Sequence, residues 1–302
     1  MNAWLAELGR QLAGRWVALV VAPGALYVTA ATVAALLGQG RALDLGTLHA
    51  RLDAAAAQPA SARGGTVLLV LVGFLAASAA AGLTAGAAGL LIQRLWSAAG
   101  RAPVLRRLAA ERRRRWDAAA VAVTAASRDL ARRPEDREVR ARLRRAIAAR
   151  DAICLVPATR PTWIGDRLNA TDARVHDAYR LDLAAAWPRL WLVLPDAARE
   201  EIGVAQAGCA AAARVGGWGL LYAPLALFWW PAGLLTTATL LVARYRARQA
   251  VGVYADLVEA AVDLYGRDLM TALGIECELR LTPQAGAEAT SLLRKDLTDR
   301  LS

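Results

Sequence analysis

The sequence has little of what most catalytic and metal sites are built from. Among 302 residues there are two histidines, His49 and His176, and three cysteines, Cys154, Cys209 and Cys277, all far apart. No CxxC or Cys/His spacing can be written from them, so no metal site and no bound cofactor is expected. Three scattered cysteines suit a reducing compartment, where each packs as a small apolar residue. There is no phosphate-cradling glycine loop, no GxSxG elbow and no HExxH helix. Lysine is nearly absent as well, since Lys295 is the only one and arginine carries the basic charge. A GC-rich genome is the plain explanation for that bias. Aromatic residues make up only 6% of the chain.

What is abundant is small and apolar. The hydrophobic fraction is 57% and the mean hydropathy +0.31, above the roughly 45–50% apolar usage of soluble domains. Alanine, leucine and valine dominate, which predicts an all-α protein. Two runs without charge stand out. Trp16 to Leu37 and Thr66 to Leu91 each reach the roughly 20 residues that cross a bilayer as a helix. A third run, Val215 to Ala243, is too long for one upright span and short of two. It predicts either a short hairpin turning at Trp229-Trp230-Pro231 or one kinked span.

Charge orients these segments. Arg10 and Arg15 precede the first run, and Arg244, Arg246 and Arg248 follow the third. From Arg101 to Arg150 there are 16 arginines against 6 acids, a local excess of ten within a net charge of +11. Arginine-rich loops stay cytoplasmic. The expectation is therefore a multi-pass protein of the inner membrane with about four transmembrane helices and a cytoplasmic amino terminus. Residues 1–95 form a transmembrane pair with a short outer loop. Residues 96–205 form an arginine-rich helical cytoplasmic domain. Residues 206–246 form a transmembrane hairpin, and 247–302 a cytoplasmic amphipathic helix with a tail.

Within the second run, Ser78, Gly82 and Gly86 recur at four-residue spacing and predict a helix-packing face, either between copies of the chain or against the first run. Past the membrane exit, Pro103 to Arg132 predicts a long helix, and Pro134-Glu135-Asp136 a second one running to about Arg150. The tetrad Arg112, Arg113, Arg114 and Arg115 is the candidate contact for anionic lipid or a protein partner; a solvated stop-transfer face is the plainer alternative. Nucleic acid ranks last, since Trp116 is the only nearby aromatic. Pro157 to Pro195 predicts a turn-rich folded element in which Asp166 and Asp182 pair with arginines. Asp166 with His176 or Asp172 is a formal acid/base option, but surface charges are usually solvated or paired, and no catalytic residue is assigned.

Gln249 to Leu273 places Tyr254, Leu257, Val258, Ala261, Leu264, Tyr265 and Leu269 on one stripe, with Gly274 as a stop. That stripe is expected to pack on the 103–150 helices or on a second subunit. Glu288 to Leu301 predicts a short terminal helix. Pro161, Thr162 and Gly165 of a PT-x-IG block and Trp187, Pro188, Arg189 and Trp191 of a WPRLW-x-x-LP block form a candidate structural motif. With Tyr254-Ala255-Asp256-Leu257 and Asp263-Leu264-Tyr265 they resemble a group of bacterial integral membrane proteins to which no activity is assigned. The resemblance covers roughly 161 to 275 and implies a four-helix topology with an intracellular middle section. Two functions fit the sequence: a non-enzymatic, membrane-anchored module offering a basic helical domain to protein or anionic lipid, or an oligomeric pore gated by that domain.

Overall fold

The computed structural model describes residues 21–57, 64–98, 102–277 and 280–295. The described residues hold ten α-helices and no strand. In chain order the helices are α1 (Ala22–Leu37), α2 (Leu45–Ala56), α3 (Gly64–Trp96), α4 (Pro103–Arg132), α5 (Arg137–Ile153), α6 (Trp163–Tyr179), α7 (Leu183–Val193), α8 (Asp196–Tyr222), α9 (Trp230–Leu273) and α10 (Pro283–Arg294). A short 3-10 turn, Ala223–Leu227, joins α8 to α9. The chain divides into two compact units, one of residues 1–93 with 210–245 and the other of 94–209 with 246–302.

In the first unit, α3 is the one described helix long and apolar enough to cross a membrane. The predicted first span begins at Trp16, so its start lies outside the described residues, as do Arg10 and Arg15. The face α3 presents to its neighbours carries Ser78, Ala81, Ala85 and Gly89, all buried. This corrects the predicted face. Gly82 is only half-buried, and a side chain at Gly86 would meet nothing within 4 Å. The reason is geometric: at about 100° per residue a row of four-residue steps drifts by about 40° each step, whereas steps of three, four and four stay on one side.

Both neighbours on this face come from the same chain. Gly24 of α1 lies so close to the Ser78 carbonyl that a side chain there would overlap it, and Gly217 of α8 lies equally close to the Ala85 carbonyl. A β-carbon on Gly89 would sit 3.2 Å from the Ala213 carbonyl oxygen. Contacts this short between backbones demand glycine. They run α3 antiparallel to α8, because residues 89 and 85 meet 213 and 217 in turn.

The third apolar run is two helices, not one kinked span. A β-carbon on Gly216 would lie 3.6 Å from Ala243, and one on Gly219 would meet Leu240 at 2.8 Å, so α8 and α9 pack antiparallel here. The reversal falls at Trp229-Trp230, where the sequence places it: the pairs Gly216–Ala243 and Gly219–Leu240 are symmetric about that point, and the 3-10 turn Ala223–Leu227 tightens the chain just before it. Pro224 sits in the 3-10 turn, and Pro231 falls in the first turn of α9, where its missing N–H costs no bond. Gln39, just after α1, closes the break. Its amide donates to the carbonyls of Ala226 and Leu227, both at 2.9 Å, and its oxygen accepts from the Trp230 N–H at 3.0 Å. The Trp229 indole donates to the Ala42 carbonyl at 2.9 Å. Backbone groups left open by the turn are thus satisfied by one side chain.

In the second unit, α4 occupies the span its sequence predicts, ended by Pro134 two residues on. Pro134 does not open the next helix; it lies in the turn, and Asp136 is the cap, accepting from the N–H groups of Glu138 and Val139. Residues 157–195 are more helical than predicted. Thr162 caps α6 by accepting from the Gly165 N–H, and Asp182 caps α7 by accepting from that of Ala185. Their side-chain oxygens outcompete the turn signal of the prolines. Gln249 to Leu273 is the second half of the continuous α9 rather than a separate helix, stopped by Gly274 at φ 74°.

The stripe on α9 is covered by a different partner from the one expected. Ala261, Val262, Leu269 and Met270 join Val175, Leu181, Leu190, Leu194, Ile202 and Ala289 in one core. The partners are α6, α7, the start of α8 and α10, not the 103–150 helices, and Leu264 is left exposed. The terminal helix is α10, which starts five residues before Glu288 and ends at Lys295 in a left-handed conformation; the rest of the predicted helix, to Leu301, lies outside the described residues.

Candidate functional site

The polar centre of the second unit is Asp166, in the first turn of α6 and 1% exposed. Its Oδ1 accepts from the backbone N–H groups of Thr159 and Arg160 at 2.8 and 2.7 Å. Its Oδ2 accepts from Arg112 Nε and Nη2 at 2.9 and 2.7 Å. The same Arg112 nitrogen reaches the Ile153 carbonyl at 3.0 Å, and the Trp116 indole donates to the Cys154 carbonyl at 2.9 Å. One carboxylate therefore ties α4, the end of α5, the 154–162 segment and α6 together. All its hydrogen bonds are charge-assisted. An Asp166 so fully engaged is no general base.

The PT-x-IG block serves this anchor. Thr162 both caps α6 and donates to the Trp96 carbonyl at 3.0 Å. A side chain on Gly165 would come within 2.6 Å of that same carbonyl oxygen. Pro161 is buried. Trp163 lies under the guanidinium of Arg248, 4.5 Å from the ring centre. In the second block, Trp187 and Trp191 touch at 5.9 Å between centroids, Pro188 sits inside α7, and the exposed Arg189 turns back to the Ala185 carbonyl.

The arginine tetrad is divided. Arg112 points into the Asp166 anchor, so it is withdrawn from any surface contact. Arg113 pairs with Asp117 and Arg115 with Glu111 along α4, and Arg114 makes no ion pair among the described residues. Arg106, Arg107, Arg114, Arg128 and Arg132 fall within about 100° of arc on α4 at the helical repeat. The half-buried Arg112, Trp116, Ala119, Val123 and Leu130 and the buried Ala126 lie on the opposite side. Those five arginines form no ion pair among the described residues. The helix is thus amphipathic in charge.

A second ionic cluster escaped the sequence reading. Arg167 is 7% exposed and donates to Glu259 at 3.1 Å and to Asp256. Arg174 reaches the other Glu259 oxygen at 3.2 Å, and the Thr171 hydroxyl joins at 3.2 Å. The signal was present: Ile164, Arg167, Thr171 and Val175 share one buried row at steps of three and four, and a charge in such a row must be paired. Elsewhere Asp182 meets Arg294 of α10 at 2.6 Å. Burial opposes ionisation of Asp182, but the Arg294 guanidinium and the Ala185 N–H outweigh it, holding the carboxyl below its ordinary value.

Between α6, α7 and α9 lies a cleft of about 320 Å³. Its walls include Leu168, Leu183, Trp187, Pro188, Tyr254 and Val258, with Asp172 on the α6 side. Asp172 makes no hydrogen bond or ion pair among the described residues. Burial, and then the nearby Asp182 carboxylate, push its carboxyl above the ordinary range despite the pull of His176, Arg160 and Arg294. Burial likewise raises the Cys154 thiol, which donates weakly to the Asp166 carbonyl and is inert. No group of three metal-ligating side chains occurs among the described residues. Comparison with known protein families, curated proteins and solved structures gives no match.

Proposed function

We propose that this chain is a non-enzymatic integral membrane protein that crosses the inner membrane with about four helices and presents the basic α4–α5 hairpin to an anionic surface on the cytoplasmic side. The observation that carries the reading is the row of five exposed guanidinium groups on one face of α4 that form no ion pair among the described residues. Arg142 and Arg144 of α5 add two more that are exposed and without an ion pair among the described residues. Each basic residue near an anionic leaflet contributes about 1 kcal/mol. The same charge suits an acidic protein partner.

The membrane part of the proposal is supported by surface chemistry. On α3, Leu68, Leu69, Val70, Leu71 and Val72 are 53–74% exposed. Leu227, Phe228, Leu234 and Leu241, at and after the 3-10 turn, are 61–76% exposed. Patches of this size are not left against water. The pore reading has less behind it. Ser78 is covered by α1 of the same chain; of the threonines that would line an axis, Thr237 and Thr239 donate to the carbonyls of Gly233 and Leu235 in their own helix, while the buried Thr236 hydroxyl has no partner among the described residues.

The test uses the full chain in nanodiscs, with hydrogen exchange followed by mass spectrometry. Protection of 103–145 should rise when phosphatidylglycerol replaces part of the phosphatidylcholine, and glutamine at 106, 107, 114, 128 and 132 should abolish the rise. Equal exchange in both lipids, with crosslinking to an acidic protein in cells, assigns the surface to a protein partner. Equal exchange and no crosslink would end the proposal. For topology, a cysteine replacing Trp230 should react with an impermeant reagent added outside intact cells.

A further inference from the structure

The cleft between α6, α7 and α9 combines features that its structural role does not require. It is open to solvent on one side, where Asp172, Ala184 and Pro188 are exposed. Here two aromatic side chains, Trp187 and Tyr254, remain half-buried at a cavity of about 320 Å³, within the range of small-ligand pockets. The cleft is nearly free of positive charge on its own walls. Thr171 is already engaged with Glu259 and the Arg167 carbonyl. Of the arginines nearest Asp172, Arg160 turns to Asn169 and Arg294 to Asp182.

One charged acceptor remains, the Asp172 carboxylate, exposed at the rim of the cleft and without a hydrogen bond or ion pair among the described residues. An apolar, partly aromatic cleft whose one free charged group accepts hydrogen bonds is complementary to a cation with an apolar body. The aromatic faces of Trp187 and Tyr254 add to that preference.

We infer that this cleft is a binding site for a small organic cation, an ammonium group carried on an aromatic or branched apolar body, with Asp172 receiving the charge and Trp187, Pro188 and Tyr254 holding the body. The site stands independently of the membrane-surface reading, because none of its residues belongs to α4 or α5. Asp172 is exposed, so water solvates its carboxylate in the free cleft and a bound ammonium would take over that role.

The experiment is calorimetric titration of the full chain, in detergent, with phenylbutylammonium, phenylbutanol and phenylbutyrate as probes. The ammonium should bind about tenfold or more tightly than the alcohol, and the carboxylate should not bind. Asp172→Asn should remove the preference for ammonium over alcohol while leaving the alcohol affinity unchanged. Leu168→Trp, which fills the cleft, should abolish binding of both. The circular dichroism melt checks that each variant remains folded. Equal affinities of ammonium and alcohol for the unaltered chain would overturn the inference, as would binding that survives Leu168→Trp, which would report partition into the detergent. A preference that persists in Asp172→Asn would overturn the assigned role of the carboxylate.

Discussion

The two units of this protein bury opposite things. In the first, the inside of α3 is Ser78, Ala81, Ala85 and Gly89, while leucines and valines face outward. In the second, Leu181, Leu190, Leu194, Leu269 and Met270 are fully buried, and most arginines lie outside, the paired Arg112 and Arg167 excepted. The contrast is what the proposed membrane placement of the first unit would produce. In lipid, hiding large side chains gains nothing, and cohesion comes from backbones that approach through small residues. In water, large apolar side chains carry the burial energy, and polar anchors must be complete.

Five substitutions sharpen that contrast, each read by unfolding with hydrogen exchange assigned to the two units separately. The largest effect is expected from Asp166→Ala. It strands Arg112 and two backbone N–H groups at a site 1% exposed and should cost about 3–5 kcal/mol, confined to the second unit, residues 94–209 and 246–302. A loss below about 1 kcal/mol would mean that the anchor is wetter than its burial implies. Next is Gly217→Leu, which drives a side chain into the Ala85 carbonyl. It should cost about 1–3 kcal/mol and loosen α3 against α8, whereas Gly86→Leu, facing open space, should change stability by less than about 0.5 kcal/mol. If the two glycines behaved alike, the α3 face would be misassigned.

Gln39→Ala removes three hydrogen bonds from the α8–α9 turn and should cost about 1–2 kcal/mol, raising exchange at 223–230 without touching the second unit. The smallest effect belongs to Arg294→Gln. The carboxyl of Asp182 is held below its ordinary value, so its contribution is present above the unfolded carboxylate pKa and lost as pH falls through the lower folded value. At neutral pH the variant should be less stable by about 1 kcal/mol, and the difference should vanish in acid below the ordinary carboxylate range. A gap that stays constant down to that acid range would assign the loss to packing of α10 instead.

Much of the secondary structure was legible. Pro103 and Pro134 bracket α4, and Gly274 ends α9, because proline and glycine act through local backbone geometry. The prolines of 157–195 misled for a related reason: Thr162 and Asp182 supply caps that start helices right beside them. The candidate site was legible only in fragments. Asp166 was read as an arginine partner, but which arginine it takes is settled 54 residues earlier in the sequence, at Arg112. The tetrad looked uniform as a string, yet four consecutive helical positions point in four directions, and only one of them faces α6. Arg167 and Glu259 lie 92 residues apart, and neither is distinctive alone.

Composition and periodicity by themselves determined that this chain is helical, where its apolar runs lie and that one segment concentrates positive charge. They could do so because helix propensity, capping and transfer from water act on a residue and its near neighbours. Tertiary structure alone decided which face of α3 is covered, what packs on the α9 stripe, that Arg112 is an anchor and that a cleft opens beside Asp172. Those outcomes depend on which distant groups come within bonding distance, and that follows only from packing the whole chain.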